Sequence, residues 1–168
     1  ALARRLGEVT NLRFRSVLTA RPRAVLEADP EARHVHWFST HFSGYDRRKH
    51  DAGMAHYLPV NLGEVPDYYR RFIDPPDIVV FKTAPMDGDG FFNFGPNTLW
   101  MRALVERGKV VIVEETPTLP YVMGEGTGVH FSEVDYIIPG FDRPMFDTAV
   151  NEALDSGAIL VSTKVDRL

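Results

Sequence analysis

The sequence has no cysteine, and this absence excludes several kinds of site. A chain without thiols forms no disulfide bond, ligates no metal through thiolates and has no cysteine nucleophile. Because thiol-free and disulfide-free chains fit a reducing compartment, we expect a cytoplasmic protein.

Long apolar runs are lacking as well. None approaches the roughly 18 to 20 consecutive apolar residues that a membrane-spanning helix needs. The pair Arg4-Arg5 is not followed by the apolar stretch of a secretory signal. We therefore expect no membrane partner.

A large excess of positive charge is also absent, since the formal net charge is −4. Residues 1–51 hold ten Lys/Arg against six Asp/Glu, whereas residues 52–168 hold nine against seventeen. The single dense basic run, Arg47-Arg48-Lys49, is more typical of a solvated helix face than of a nucleic-acid-binding surface, which needs a broader basic area. We therefore expect no nucleic-acid partner.

The composition is that of an ordinary folded domain. The 168 residues are 44% hydrophobic and 25% charged, which supports a core and argues against disorder. Short runs of β-branched or aromatic residues bounded by turn residues predict strands. They are Leu12–Leu18, His34–Thr40, Tyr57–Pro59, Ile78–Lys82, Val110–Glu114, Tyr136–Ile138 and Ala158–Ser162.

Helical patterns alternate with these strands, at Ala1–Val9, Asn61–Ile73, Asn97–Gly108 and Pro144–Gly157. The alternation predicts an α/β fold with a mainly parallel central sheet flanked by helices. Ile78–Lys82 and Val110–Glu114 are apolar almost throughout, so we expect them to be adjacent parallel strands joined by the helix Asn97–Gly108. That helix should direct Leu99 and Leu104 inward.

Two irregular stretches, Thr83–Pro96 and Glu115–Ser132, follow the two most apolar strands. Ligands of open parallel sheets bind beyond the carboxyl ends of the strands, so these loops are the first candidates for a site. Within the first loop, Asp87-Gly88-Asp89-Gly90 is superficially similar to a calcium loop. Its twelfth position is Thr98 instead of Glu, which favours a tight turn.

Other motifs indicate little chemistry. Five of the six histidines lie between His34 and His56, but their spacing matches no metal motif and we expect no metal site. No Gly-x-Ser-x-Gly elbow is present. In Gly124-Glu125-Gly126 the carboxylate of Glu125 is either an exposed nucleophile on a strained loop or a solvated side chain.

Several stretches, taken in order, resemble the N-terminal half of the acetyl-CoA hydrolase/CoA-transferase family, the class I CoA-transferases. The family motifs are Y-I-P-x-x-L-S-E-V-P, S-P-P-D-x-x-G-Y-x-S-L-G, A-x-x-V-I-x-E-V-N-x-x-M-P and I-H-V-S-E-I-D. The matching stretches are Tyr57–Pro66, Pro76–Val80, Ala84–Gly95, Lys109–Glu115, Leu119-Pro120 and Val129–Ile138.

The resemblance implies one half of a two-domain CoA-transferase-like architecture. Residues 1–140 would form the N-terminal α/β domain, with its first strand and glycine-rich turn missing. Residues 141–168 would supply a helix and strand that close this domain or lead into the absent second half. The family's catalytic glutamate has no match, and Thr116-Pro117 stands where the family often has Asn.

The resemblance also implies a chemistry. An acyl-CoA donor would pass CoA to a glutamate outside this chain, and a small carboxylic acid would collect it, with CoA as substrate and no permanently bound cofactor. The implied partners are the second half, in the same polypeptide or in a separate subunit, and further copies in a homo-oligomer. An acyl-CoA hydrolase, a non-catalytic half that docks to a catalytic partner and an unrelated ligand-binding domain remain open.

The two loops would then supply one wall of the acyl-CoA pocket. We expect Phe91–Gly95 and Gly124–His130 to form one continuous surface covered by the missing half. The implied wall residues are Phe91, Phe92, Phe94, Gly95, Pro120, Gly124, His130 and Glu133. For His130, a role as a hydrogen-bonded strand residue is the alternative. For the phenylalanines the alternative is burial in this domain's own core, which alternation permits for Phe92 and Phe94 but not for Phe91 as well.

Overall fold

The computed structural model describes residues 2–17, 19, 21–139 and 160–162. Two compact units divide the chain, one of Ala1–Val60 with Phe146–Leu168 and one of Asn61–Met145. The boundary near residue 60 falls inside the predicted domain of residues 1–140, and the bounds of that domain stay a prediction. The predicted helix Pro144–Gly157 lies outside the described residues. Among those that are described, no helix has the length and apolar character needed to cross a membrane.

The first unit contains a parallel sheet. Its strands, in spatial order, are β1 (Leu12–Ser16), β2 (Val35–Ser39) and β3 (Ala55–Tyr57). Helices α1 (Ala24–Glu27) and α2 (Gly44–Asp51) connect them. Alternate side chains of β1 and β2 are buried, as expected for strands with period-two patterning.

The structure of this unit differs from the predicted one at the N-terminus and shows how helix α2 begins. The predicted helix Ala1–Val9 is wrong, because the chain forms two 3-10 turns there, Leu2–Arg4 and Leu6–Glu8. Helix α2 begins at a capping box in which Ser43 and Asp46 satisfy each other's backbone N–H groups. Since Arg47 and Arg48 are exposed on α2, the basic run does lie on a solvated helix face.

The second unit contains the apolar strands and three shorter ones. Its strands are β4 (Ile78–Thr83), β5 (Phe91–Asn93), β6 (Val110–Glu115), β7 (Gly128–His130) and β8 (Tyr136–Pro139), with helices α3 (Val65–Arg71) and α4 (Thr98–Arg107). Strands β8, β6 and β4 are parallel and lie in that order. A last strand, β9 (Leu160–Ser162), belongs to the first unit.

The predicted pairing of the two most apolar strands is confirmed. Strand β4 pairs with β6 in parallel from Ile78 opposite Val110 to Thr83 opposite Glu115, and α4 connects them. The side chains of Val79 and Val113 are completely buried, because strands inside a parallel sheet are covered on both faces.

Helix α4 is partly as predicted. Leu104 is fully buried, whereas Leu99 is 56% exposed, so the expectation that Leu99 points inward is wrong. The helix ends at Arg107, but Gly108 does not have the left-handed conformation common after helices. A Cβ at Gly108 would lie 2.6 Å from Val79 Cγ2, so glycine is required by close packing against β4.

The helix predicted over Asn61–Ile73 begins later and ends earlier. Residues Leu62–Glu64 form a 3-10 turn, and α3 starts only at Val65. Pro66 then occupies the first turn, where its missing N–H has no intrahelical partner to lose. Val65 and Tyr69 are buried in this segment, whereas Leu62 and Phe72 are exposed.

The opposite environments of two leucines in α4 generate a stability prediction. Leu104→Ala should lower the free energy of unfolding by about 2–5 kcal/mol, because it removes a fully buried side chain and leaves a cavity. The matched variant Leu99→Ala should change it by less than about 0.5 kcal/mol, as expected for an exposed position. Urea unfolding of both variants measures the difference, and equal losses would contradict the orientation of α4.

Candidate functional site

The two candidate loops pair with each other beyond the carboxyl ends of β4 and β6. Strands β5 and β7 form a two-stranded antiparallel sheet in which Phe91 lies opposite His130, and Asn93 lies opposite Gly128. The N–H of Ala84 donates to the carbonyl of Asn93 at 2.8 Å, which ties β5 to the end of β4. Neither β5 nor β7 is among the predicted strands, because both lie inside the two stretches that the sequence predicts to be irregular loops.

The Asp-Gly-Asp-Gly motif is a turn. Asp87 Oδ1 accepts the N–H groups of Asp89 at 3.0 Å and Phe91 at 2.8 Å. The Phe91 N–H is the main reason that the pKa of the Asp87 carboxyl lies below its usual range. Gly90 has φ +84°, and a Cβ there would lie 2.8 Å from the Phe131 ring. The carboxylate is thus used to close the turn, as the sequence predicted.

The three phenylalanines of this segment have different environments. Phe92 and Phe94 are completely buried in the core of the second unit, whereas Phe91 is 44% exposed. The prediction that all three form an apolar wall is therefore wrong for Phe92 and Phe94. The Phe94 ring packs edge-to-face against Phe81 of β4 at 5.1 Å, which explains its burial. For Phe91 the pocket role stays a prediction.

An exposed aromatic patch surrounds Phe91. The His130 ring contacts Phe91 edge-to-face at 5.0 Å and Phe131 at 4.4 Å between ring centroids. His130 Nδ1 also lies 2.8 Å from Ser132 Oγ. We call Phe91, His130 and Phe131 the aromatic patch. His130 is thus both a hydrogen-bonded strand residue and part of an accessible surface, so the two alternatives left open by the sequence are compatible.

Glu133 holds the end of this patch in place. Its carboxylate accepts Arg102 Nη1 at 2.9 Å and also Arg102 Nη2, and it accepts the His130 N–H at 3.4 Å. The hydrogen bond from Arg102 is the main cause of the lowered pKa of Glu133. Arg102 was not predicted, because its partner lies 31 residues away and only the pairing with Glu106 on the same helix is visible in the sequence.

Gly95 is a packing residue. It is buried with φ +59°, and a Cβ there would lie 2.8 Å from Leu119 Cγ and 3.0 Å from the Pro120 carbonyl oxygen. The glycine therefore allows the two candidate loops to approach closely at this point. The small size of Gly95 serves the contact with Leu119, and its place in a pocket wall stays a prediction. Pro120 itself is exposed.

The glycine loop, which we define as Val122–Thr127, is exposed around Glu125. Gly124 and Gly126 both have positive φ, and Thr127 Oγ1 donates to the Gly124 carbonyl at 2.9 Å. The side chain of Glu125 makes no hydrogen bond or ion pair with any residue that the structure describes. None of the described residues therefore orients Glu125 as a nucleophile.

A buried ion pair lies where β4 and β6 end. Glu114 is only 1% exposed, and its Oε1 lies 3.2 Å from Lys82 Nζ on the neighbouring strand. The two residues are direct register partners. A carboxylate in the protein interior is stable only when a positive group pairs with it. The pair therefore places one negative and one positive charge at the sheet edge from which both loops start. The described residues form no group of three metal-ligating side chains.

The contact between Arg102 and Glu133 generates a pH prediction. A carboxyl whose folded pKa is lowered stabilises the fold above its unfolded pKa, and the contribution is lost as the pH falls through the folded pKa. Arg102→Gln should therefore lower the stability at neutral pH by about 0.5–1 kcal/mol, a small value because the pair is a third exposed and screened. The difference from the unsubstituted chain should shrink as the pH falls below about 4.3, the ordinary pKa of a glutamate, and should disappear once Glu133 is protonated in the folded chain as well.

The matched control is Arg71→Gln, since Arg71 lies 3.9 Å from exposed Asp67 and should contribute almost nothing. Thermal unfolding of both variants between acidic and neutral pH measures the effect. A loss for Arg102→Gln that stays constant with pH would contradict the assignment to the Glu133 charge.

Comparison with known proteins gives a consistent result. The profile of a family described as "Acetyl-CoA hydrolase/transferase N-terminal domain" matches residues 2–145. The butyryl-CoA:acetate CoA-transferase of Anaerostipes caccae is 38% identical over 141 residues, which are 83% of this chain and 32% of that protein. A probable butyrate:acetyl-CoA coenzyme A-transferase of Syntrophomonas wolfei is 32% identical, with 86% and 32% covered.

Solved structures agree on the fold. RipA from Yersinia pestis superposes with a TM-score of 0.69 at 24% identity, covering 86% of this chain and 36% of that one. A 4-hydroxybutyrate CoA-transferase from Porphyromonas gingivalis gives 0.54 at 21% identity, with 81% and 36% covered. The chain thus spans about a third of the length of the curated relatives it matches.

Proposed function

The chain belongs to the acetyl-CoA hydrolase/transferase family through its N-terminal domain, and from this premise we propose that it is one part of an acyl-CoA:carboxylate CoA-transferase. The main support is the 38% identity to a butyryl-CoA:acetate CoA-transferase across most of this chain. The proposed donor is a short-chain acyl-CoA and the proposed acceptor a small carboxylic acid. Coenzyme A enters and leaves as part of the substrates, and no permanently bound cofactor is required.

The proposed reaction proceeds through a covalent glutamyl-CoA thioester. A glutamate outside this chain attacks the thioester carbonyl and expels the CoA thiolate, which leaves a mixed acyl–glutamyl anhydride. The thiolate then attacks the glutamyl carbonyl, so that glutamyl-CoA forms and the donor's acyl group leaves as a carboxylate with one of the glutamate's oxygens. The acceptor carboxylate then takes up the CoA and regenerates the glutamate. Each tetrahedral step carries a negative oxygen that needs hydrogen-bond donors. Because Glu125 is unoriented here, we assign the nucleophile to the remaining two thirds of the protein.

The contribution of this chain is a surface over the acyl group. The aromatic patch combines an exposed apolar ring, Phe91, with the imidazole of His130, and exposed apolar patches of this kind mark ligand sites or interfaces. Asp87 fixes the backbone on one side of the patch and Glu133 on the other. We propose that this patch, with the glycine loop, faces the second part of the enzyme across the substrate, and that the whole protein is a homo-oligomer.

An acyl-CoA hydrolase is the second candidate, because the matching family is described by both activities. Water would then replace the acceptor acid in the second step. The two activities differ in acceptor dependence: a transferase forms a new thioester only when the carboxylate is present, whereas a hydrolase releases free CoA without it. A non-catalytic role would show neither product.

The proposal predicts which polypeptide is active. The longer polypeptide, carrying this chain together with the two thirds present in its relatives, should convert butyryl-CoA and acetate into acetyl-CoA. The 168-residue chain alone should show no turnover, because no described residue orients Glu125 as a nucleophile. Mass spectrometry of the CoA thioesters measures both. Transfer by the 168-residue chain that Glu125→Gln abolishes and Glu64→Gln leaves intact would overturn the assignment and make Glu125 the nucleophile.

The exposed position of Phe91 predicts a separation of stability from kinetics. In the longer polypeptide, Phe91→Ser should raise the KM for butyryl-CoA several-fold, since part of the apolar contact to the acyl group is lost. The melting temperature of the chain should change little. Phe72→Ser is the matched control, because Phe72 is an exposed phenylalanine outside the patch, and its KM should not change. A large loss of stability for Phe91→Ser with unaltered KM would remove the patch from the site.

A further inference from the structure

Asn93 is a buried polar residue between the two candidate loops. It is the last residue of β5 and is only 2% exposed. On one side its backbone carbonyl accepts the N–H of Ala84 at the end of β4. On the other side its amide reaches the glycine loop. Buried amides are stable only when their donors and acceptors are paired, so the partners of Asn93 decide its role.

The side-chain amide of Asn93 donates one hydrogen bond to the backbone of Val122 and accepts another from it. Asn93 Nδ2 donates to the Val122 carbonyl at 2.9 Å, and the Val122 N–H donates to Asn93 Oδ1 at 3.0 Å. Oδ1 also accepts the Gly95 N–H at 2.9 Å, and Nδ2 lies 3.5 Å from Thr127 Oγ1. Because two backbone N–H groups converge on one end of the amide, that end must be the oxygen.

The glycine loop itself has few other means of keeping its shape. Its two glycines, Gly124 and Gly126, have no side chains to pack, and glycine loses more conformational freedom on ordering than any other residue. At its far end the carbonyl of Thr127 accepts the N–H of Phe94 at 2.8 Å. At its near end the described hydrogen bonds of Val122 are those to Asn93. Asn93 therefore fixes the start of the loop, and Phe94, the residue that follows β5, fixes its end.

We propose that Asn93 is a positioning residue that holds the glycine loop in the conformation presented to the acyl-CoA substrate. This inference rests on the proposed function, since it assigns the loop to the same site as the aromatic patch. Asn93 itself is buried and touches no substrate. Its effect passes through the backbone of Val122 to the exposed glycines Gly124 and Gly126, whose backbone can approach a ligand closely because they have no side chain.

A charge-dependent variant tests this role. In Asn93→Asp the ionised carboxylate keeps both acceptor contacts but turns an oxygen toward the Val122 carbonyl, so the donor is lost. Protonation restores an O–H donor in the same place, and burial raises the pKa of such an aspartate toward neutrality. The defect of Asn93→Asp should therefore be reversible with pH, which a general loss of packing would not be.

In the longer polypeptide, kcat/KM of Asn93→Asp for butyryl-CoA should be about tenfold below that of the unsubstituted enzyme at pH 8, as expected for one unsatisfied buried partner. The ratio between the two should approach one as the pH falls to about 5.5. Asn93→Ala should be equally impaired at both pH values. Asn61→Asp is the matched control, because Asn61 is an exposed asparagine of the same unit, and it should follow the unsubstituted enzyme throughout.

Hydrogen exchange separates this inference from the proposed function. The amides of Val122 and Gly95 both donate to Asn93 Oδ1, so they should exchange faster in Asn93→Ala, where this acceptor is lost, than in the unsubstituted protein. If the unsubstituted enzyme transfers no CoA, the proposed function fails and the exchange result still decides whether Asn93 orders the loop. Unchanged exchange, or an unchanged kcat/KM in an active enzyme, overturns the inference.

A second variant covers the case in which Asn93→Asp fails to fold. Thr127→Val removes the hydroxyl that donates to the Gly124 carbonyl and lies against the Asn93 amide, while the side chain keeps its volume. It should lower kcat/KM without lowering the melting temperature by more than a few degrees. An unchanged kcat/KM in this variant would show that the shape of the glycine loop does not matter to the reaction, and would overturn the inference.

Discussion

The parallel pairing of β4 with β6 is the constraint on which the second unit depends. Six consecutive register pairs bring Thr83 and Glu115, the last residues of the two strands, side by side. The segments that follow must then start at the same edge of the sheet, although they are about thirty residues apart in sequence. Their pairing as β5 and β7 completes this arrangement, and Asn93 connects the first segment to the glycine loop carried by the second.

Parts of this fold could be predicted because the residues that specify it are adjacent in sequence. An unbroken apolar run such as Ile78–Phe81 has only one stable environment, a sheet covered on both faces. Helix ends were less predictable. Leu62–Glu64 and the segment after Val65 share one apolar pattern, but a 3-10 turn and an α-helix expose different members of it. The prediction that Leu99 points inward was wrong for a similar reason, because Leu99 lies in the first turn of α4 and points away from the sheet.

Less of the candidate site could be predicted, because it depends on contacts between distant residues. The location of the two loops followed from the strand order, and the turn at Asp87 followed from its glycines. The burial of Phe92 and Phe94 did not follow from the sequence, because alternation along β5 can be applied only once the pairing of β5 with β7 is known. The roles of Asn93 and Arg102 were also invisible, since their partners lie some thirty residues away in the chain.

Strand β8 has a consequence for how the chain behaves at high concentration. It lies at one end of the order β8, β6, β4, and no described strand pairs with its outer side. Tyr136 and Ile137 alternate across the strand and are both exposed, so apolar side chains flank a strand edge that no described strand pairs with. Such an edge is a template for strand addition by another chain. Separated from the rest of its protein, this domain should therefore self-associate through β8. The substitution Ile137→Lys should oppose this association, because a charged side chain at a strand edge disfavours pairing with another chain.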